Sequence, residues 1–147
     1  MAESTPYPTL AHAFAALDGL PLAGSLYISP SDPGVDFDAL MRTRRILPHA
    51  WSDQAPADRI EVTPQGGVGV RWRRGESTLE MVVDPFALVS FRMDTRSRTS
   101  EWTRATIDLA VTDVRHVLGL PAVQLPPELL RSDTTPERGN AVAGAPS

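Results

Sequence analysis

The chain has 147 residues, a formal net charge of −4 and no cysteine. This length suits one domain with its own hydrophobic core. The lack of cysteine excludes a disulfide framework, a thiolate metal site and a cysteine nucleophile. No apolar run reaches the roughly 20 residues that span a bilayer, and we find no signal-peptide pattern at the N-terminus. We therefore expect a cytoplasmic protein.

All 14 basic residues are arginine. A GC-rich genome produces this bias without a functional cause, whereas the functional alternative is selection for bidentate or stacking contacts, which Arg makes and Lys does not. The negative net charge argues against nonspecific coating of nucleic acid. The arginines nevertheless form three groups, which are Arg42, Arg44 and Arg45; Arg71, Arg73 and Arg74; and Arg92, Arg96 and Arg98.

Two helices are predicted in the N-terminal third of the chain. Thr9 is a suitable N-cap for a helix over residues 10–17, which Asp18-Gly19 would end. Asp36 is a suitable N-cap for a second helix, over residues 37–47, and we expect Pro48 to stop it.

The segments around these helices have less regular patterns. Residues 1–6 are expected to be flexible, and residues 25–29 form a short strand candidate at an edge of the sheet. Trp51 lies in a connector rich in Ala, Asp and Pro. We expect it to anchor that connector by packing on the domain.

A four-stranded antiparallel meander is predicted over residues 59–93. Short apolar runs are separated there by the turn signals of residues 64–67, 74–77 and 84–85. The second and third runs alternate with period 2 and place one apolar face toward a covering layer. That face contains Val68, Val70, Trp72, Leu79, Met81 and Val83.

Residues 101–118 fit two templates. As a strand, Ala105, Ile107, Leu109 and Val111 alternate with polar residues; as a helix, the segment has one polar and one apolar stripe. Its length and the stop signal after it favour one long C-terminal helix, although a strand at its start stays open. Residues 127–130 could add a helical turn, and residues 132–147 are expected to be disordered.

Few residues suggest catalysis or cofactor binding. The Gly-rich segment 66–69 lacks both the Gly-Lys-Ser/Thr ending and the following helix of a phosphate-binding loop, so a hairpin turn is favoured. His12, His49 and His116 have no metal-ligand spacing. A Ser-His-Asp triad is not excluded by composition, but no nucleophile elbow is present. We therefore predict no cofactor, no metal and no enzyme activity.

Arg71, Trp72, Arg73 and Arg74 are the main candidates for partner binding, together with Arg42 and Arg45 on the second predicted helix. In a regular strand Arg71 and Arg73 share one face and Trp72 lies on the other. A single-stranded nucleic-acid platform needs aromatic and basic groups on the same face. The alternative is an exposed charged face on which Arg pairs across the hairpin with Glu80 and Glu76.

The segment Ile60–Val83 resembles one found in many small uncharacterised bacterial proteins, in which P-x-G-G-(I/V)-x-(L/V)-x-W is followed by a turn and another strand. The matching residues are Pro64, Gly66, Gly67, Val68, Val70, Trp72, Leu79 and Glu80. The resemblance implies a fold segment in a bacterial protein and carries no assigned activity.

Together these patterns predict an α+β fold, in which a meander of four to five antiparallel strands packs with two N-terminal helices and one long C-terminal helix. The domain is expected to cover residues 7–131. The predicted function is a non-catalytic protein-interaction module, meaning an adaptor, chaperone-like or regulatory protein. Self-association as a homodimer is expected because a small sheet has exposed edges. Nucleic-acid binding through the Arg groups and a small enzyme are the alternatives.

Overall fold

A computed structural model describes residues 7–22, 34–86 and 88–127 of the chain. Its elements have an α+β arrangement, as predicted. In chain order they are α1 (Leu10–Asp18), α2 (Phe37–Ala50), β1 (Ala57–Val62), β2 (Val68–Arg74), β3 (Ser77–Val83), β4 (Val89–Asp94), β5 (Thr99–Arg104) and α3 (Ile107–Val117).

The five strands form one antiparallel sheet in the order β1-β2-β3-β4-β5, so each strand pairs with its neighbours in sequence. The predicted meander is confirmed. The turn before β2 is a hairpin turn, in which Gly66 has a φ of +89°, and Gly75 has a φ of +57° in the next turn. Both values lie in the left-handed region that glycine enters without a Cβ clash.

The sheet has an inner face covered by helices and an outer face that they do not cover. All six residues of the predicted apolar face are buried on the inner face. The pairing register extends that face to Phe91, which lies opposite Met81. The outer face carries the alternate residues, including Arg71 and Arg73 of β2 and Glu80 of β3. Burial of one face thus fixes the direction of every side chain along the strands.

Both predicted N-caps are present. The Thr9 hydroxyl accepts a hydrogen bond from the His12 N–H at 3.4 Å, and the Asp36 carboxylate accepts one from the Ala39 N–H at 3.1 Å. The predicted end of α2 was wrong, because the helix continues through Pro48 to Ala50. Pro48 removes only the N–H that would bond to the Arg44 carbonyl, and the extra turn buries Ala50 and places Trp51 against the core, as expected for that side chain.

The helix favoured over residues 101–118 was wrong in its first part, and the alternative left open, a strand at its start, is confirmed. Residues 99–104 form β5, and α3 begins only at Ile107. Trp102 pairs with Phe91 of β4, and the two rings stack with centroids 5.3 Å apart. This aromatic pair and the otherwise unpaired edge of β4 favour a strand over the helical stripe.

Arg115 connects α3 to the end of α2. This buried residue donates hydrogen bonds to the carbonyl oxygens of Pro121 at 2.6 Å and His49 at 3.2 Å. The C-terminal ends of α2 and α3 therefore lie side by side, and their N-termini lie together at the other end of the sheet.

Several predictions fall on residues outside the described ranges, namely the flexible residues 1–6, the strand over residues 25–29 and the disordered tail over residues 132–147. Most of the possible turn over residues 127–130 also lies outside them. None of the helices in the described ranges is long and apolar enough to cross a bilayer.

Two neighbouring glycines should respond differently to alanine. A Cβ at Gly67 would lie 2.5 Å from the Val83 carbonyl oxygen, whereas one at Gly69 would have only ordinary contacts, the nearest at 3.7 Å from Glu61. We expect Gly67→Ala to lower the free energy of unfolding by about 2 kcal/mol or more. Gly69→Ala should be neutral or slightly stabilising, because alanine is less costly than glycine in a strand. Urea unfolding of both variants measures the difference, and equal stabilities would contradict the close approach of the turn to β3.

Candidate functional site

The six candidate residues predicted from the sequence lie in three places. Arg71 and Arg73 lie on the outer face, Trp72 is buried on the inner face, and Arg74 lies at the exposed rim of the inner face. The Arg74 guanidinium approaches the C-terminal end of α3, since a Cβ at Gly119 would lie 3.1 Å from its Nη1. The structure therefore confirms that Trp72 is separated from the two outward arginines.

Arg42 and Arg45 belong to the helical layer, on the opposite side of the sheet from Arg71 and Arg73. Arg42 donates from Nη1 to the Asp84 carbonyl oxygen at 3.2 Å, and Arg45 is half-buried. Arg44, their neighbour, pairs with Asp18 and lies over the Phe14 ring at 4.8 Å. The candidate residues thus do not form one continuous basic surface.

Arg71 and Arg73 share Asp58 as their partner. Arg71 donates from Nε and Nη2 to the two Asp58 oxygens at 3.0 and 3.2 Å, and the Arg73 Nε lies 3.7 Å from the same carboxylate. The hydrogen bond to Asp58 raises the pKa of Arg71 above its ordinary value. Glu80 lies directly opposite Arg71 on β3, as expected, and its charge also raises the pKa of Arg71. The hydrogen-bonded ion pair is nevertheless made with Asp58, and Glu76 pairs with Arg96.

Charges of both signs lie next to one another across the outer face. The pairing register aligns one row over all five strands, which is Arg59, Arg71, Glu80, Arg92 and Glu101. The strand alternation and the ion pairs add Arg73 on the positive side and Asp58, Glu61 and Asp94 on the negative side. The face is close to neutral, so it lacks the continuous positive potential that a phosphate backbone requires.

The same face holds a shallow open cavity of about 470 Å³, whose lining includes Glu80, Val82, Ser90, Arg92, Glu101 and Thr103. Among the described residues, no group of three or more His, Asp or Glu side chains could hold a metal ion. The His12 ring forms a hydrogen bond at 2.7 Å with the Thr9 hydroxyl that caps α1. These features do not form a set of convergent groups of the kind that acid–base or nucleophilic catalysis uses.

One end of the domain carries a concentration of exposed apolar side chains. Within the described residues, seven large hydrophobic side chains are exposed, and six of them lie at this end. We call them the apolar end: Leu22, Phe37, Met41, Phe86, Leu88 and Leu109. Phe86 is 82% exposed and Phe37 is 60% exposed. Such a group differs from the scattered single hydrophobics of an ordinary surface and is a candidate interaction site.

Specific contacts bring these residues to the same end. The Asp36 N–H donates to the Gly66 carbonyl at 2.7 Å, which places the start of α2 beside the β1–β2 turn. The bond from Arg42 to the Asp84 carbonyl joins α2 to the β3–β4 turn that carries Phe86. Leu109 lies in the first turn of α3, just after β5 ends opposite Val89.

Leu22 joins the apolar end through a bridge to Val35, the residue next to the α2 N-cap. A second shallow cavity of about 470 Å³ lies beside Phe86, and its lining residues are Gly34, Asp36, Pro64, Gln65, Gly66 and Pro85.

Carboxylates accompany the apolar end. Asp38 lies in the first turn of α2 and Asp108 in the first turn of α3. In the β3–β4 turn, the Asp84 carboxylate accepts hydrogen bonds from the N–H groups of Phe86 and Leu88 at 2.8 and 3.0 Å. Acidic side chains stabilise helix N-termini, and here they also give the apolar end a negative border.

The β5 edge is a second feature of the surface. Trp102 donates from Nε1 to Asp113 of α3 at 2.8 Å, and Arg104 donates from Nε to the same carboxylate at 2.6 Å. The Asp113 contact raises the pKa of Arg104 above its ordinary value. Asp113 thus holds β5 to α3, while the other edge of β5 has no partner strand in the described part of the sheet.

Sequence reasoning missed both features. The apolar end combines one or two hydrophobic residues from each of four separate segments, so no local motif indicates it. One signal in the sequence could have indicated it. Phe37 and Met41 lie one helical turn apart, beside Asp38, and give α2 an apolar face in addition to the one that packs in the core. The β5 edge was missed because its residues were assigned to a helix.

Asp113→Asn should loosen the junction between β5 and α3. The amide oxygen can still accept hydrogen bonds, but the variant loses the negative charge that Trp102 and Arg104 both contact and has an NH2 group in place of one oxygen. We therefore expect the free energy of unfolding to fall by about 1–2 kcal/mol. Glu101→Gln, on the exposed outer face of the same strand, should change it by less than about 0.5 kcal/mol. Urea unfolding followed by tryptophan fluorescence compares the two variants. An equally small effect of both would contradict the role of Asp113 in holding β5 to α3.

Comparison with known proteins identifies no relative: no family model matches the chain, and neither a curated protein nor a solved structure matches it.

Proposed function

We propose that this protein is a non-catalytic protein-interaction module that binds its partner at the apolar end. The observation that carries the proposal is the gathering of six exposed hydrophobic side chains at one end of the domain. Apolar surface left in water costs free energy that a partner recovers on binding. Adaptors, chaperone-like proteins and regulators all use such a surface.

The free energy gained by burying these hydrophobic side chains is large enough to support specific binding. Complete burial of one large hydrophobic side chain contributes about 1.5–3 kcal/mol, and Phe37 and Phe86 are the most exposed members of the set. Rigid aromatic side chains lose little conformational entropy on binding, which is why they recur at the energetic centres of interfaces. Both are held on ordered backbone, Phe37 by the α2 N-cap and Phe86 by the Asp84 turn.

The negative border indicates the chemistry of the partner. Asp38, Asp84 and Asp108 accompany the apolar side chains, and Arg42 already donates to the Asp84 carbonyl. A segment with apolar side chains and flanking Lys or Arg would match the apolar centre and its acidic rim. We therefore expect an apolar, basic segment of another protein to bind here.

Nucleic-acid binding is less well supported. It depends on Arg71, Arg73 and Arg74, and Asp58 pairs with the first two while Arg74 lies on the other face. An enzyme would require convergent polar groups in a cavity, and the two largest cavities described are shallow and open.

Replacing both exposed aromatics should abolish partner binding without unfolding the domain. We expect the double variant Phe37→Ser and Phe86→Ser to lose at least tenfold in affinity, since about 1.4 kcal/mol corresponds to a factor of ten. The probe is a set of synthetic peptides that combine Leu and Phe with Arg, and fluorescence anisotropy measures their binding. Peptides in which Glu replaces Arg should bind poorly.

The matched control is Val123→Ser. Val123 is an exposed hydrophobic residue beyond α3 that lines a cavity with Thr112 and His116 and not with Phe37 or Phe86, so this variant should bind like the wild type. Equal binding by the double variant, or a preference for the acidic peptides, would refute the proposed surface.

A capture experiment distinguishes the alternative partner class. The tagged protein is used to capture partners from host lysate, with and without nuclease, and Arg71→Ala/Arg73→Ala/Arg74→Ala is run alongside. We expect the captured protein to resist nuclease, to persist with the triple Ala variant and to disappear with the Phe37→Ser/Phe86→Ser variant. Loss after nuclease and with the triple Ala variant would instead indicate nucleic acid, whose binding falls steeply with salt.

A further inference from the structure

The backbone of β5 has a defined set of unpaired groups. The Thr95 N–H donates to the Arg98 carbonyl at 2.9 Å and closes the β4–β5 turn. Hydrogen-bonded pairs alternate in an antiparallel ladder, so the next bonded pairs are Met93–Ser100, Phe91–Trp102 and Val89–Arg104. The N–H and C=O groups of the intervening β5 residues, which are Thr99, Glu101 and Thr103, therefore point toward the open edge.

The two edge strands of the sheet differ in whether they have features that hinder pairing with a strand of another chain. On β1 the register shifts between Ala57 and Arg59, and such an irregularity interrupts a regular ladder. On β5 the pairing register runs from Thr99 to Arg104 without a shift, and the strand contains no proline. A regular edge without these features is a template for another strand.

A second copy of β5 fits this edge in one register. Residues that face each other must lie on the same side of a continuous sheet, so a two-fold axis passes through a residue and not between two. Axes at Glu101 and Trp102 pair the most residues of the strand Thr99–Arg104. An axis at Glu101 would set two carboxylates directly opposite each other, which is destabilising. An axis at Trp102 sets Trp102 opposite Trp102, Glu101 opposite Thr103 and Ser100 opposite Arg104, with no like charges directly opposed.

The geometry points to a homodimer formed by antiparallel pairing of β5 with β5 of a second copy, centred on Trp102. Since the Trp102 backbone bonds to β4, the two Trp102 residues form the close, non-hydrogen-bonded type of pair. The N–H groups of Glu101 and Thr103 donate to the Thr103 and Glu101 carbonyl oxygens of the second copy. Arg92, which lies opposite Glu101 on β4, balances the charge of the Glu101 carboxylate at the interface between the two copies.

The dimer has a continuous ten-stranded sheet with the helices of both copies on the same side. Because the paired β5 strands run in opposite directions, the two apolar ends lie at opposite ends of the dimer and stay accessible. A six-residue strand pair is a small interface, so dimerisation should depend on protein concentration. It is also independent of the proposed partner site, and Phe37→Ser/Phe86→Ser should leave it intact.

Cysteine cross-linking tests the register, since the chain has no natural cysteine. Under mild oxidation we expect Trp102→Cys to form a disulfide-linked dimer and Glu101→Cys to stay monomeric on a non-reducing gel. Two residues facing each other in a strand pair are within disulfide reach, whereas Glu101 of each copy would be too far apart. If only Glu101→Cys forms a cross-linked dimer, the register is wrong. If neither variant forms one, the pairing of β5 with β5 is wrong.

Sedimentation velocity with intact Trp102 provides the second measurement. The wild type should shift from monomer to dimer as its concentration rises. Thr103→Pro removes an edge-facing N–H and no β4 bond, and we expect it to weaken dimerisation at least tenfold, while Thr78→Ser on the interior strand β3 should have no effect. A wild type that stays monomeric at every concentration, or a Thr103→Pro variant that dimerises normally, would overturn the inference.

Discussion

Burial of the inner face of the sheet beneath the helices is the constraint on which the other features depend. Side chains alternate strictly along a strand, so burial of Trp72 and Met81 sends Arg71, Arg73 and Glu80 to the opposite side. The same constraint aligns the charges of successive strands into rows. The outer face consequently carries charges of both signs, and Arg71 and Arg73 contact the neighbouring carboxylate of Asp58.

The direction of the helices determines where apolar side chains remain exposed. Arg115 joins the C-terminal ends of α2 and α3, and Asp36 bonds to the β1–β2 turn. Both helix N-termini therefore meet the turns at one end of the sheet. Side chains there lie beyond the last strand residues, so the sheet cannot cover them. Phe37 and Phe86 consequently stay in water, and the carboxylates that stabilise the helix starts surround them.

The surface is divided by these constraints into regions of different chemistry. The outer face offers paired charges, the apolar end offers hydrophobic contact with an acidic border, and β5 offers backbone hydrogen bonds. Asp113 supports the last of these, because it orients both Trp102 and Arg104 along the edge strand. A partner at the apolar end and a second copy at β5 would use separate surfaces, so binding at one does not block the other.

The sequence alone determined the meander, its turns, its buried face, the caps of α1 and α2 and the separation of Trp72 from Arg71 and Arg73. These features depend on period-2 alternation, glycine conformations and local capping, which act over a few residues. The sequence did not determine that α2 continues past Pro48 or that residues 99–104 pair as a strand, because packing against distant residues offsets the local preference in both cases.

Only the tertiary structure showed that Asp58 holds Arg71 and Arg73 and that Arg42 and Arg45 lie in another layer. It also showed where the apolar end and the β5 edge lie. Asp58 lies 13 residues before Arg71, and the members of the apolar end come from four segments of the chain. Such groups come together when the folding of the sheet and the direction of the helices bring distant residues to one place, and no local pattern records that. The physical reason is the range of the interactions: alternation and capping are local, whereas shared surfaces are set by contacts between segments far apart in the chain.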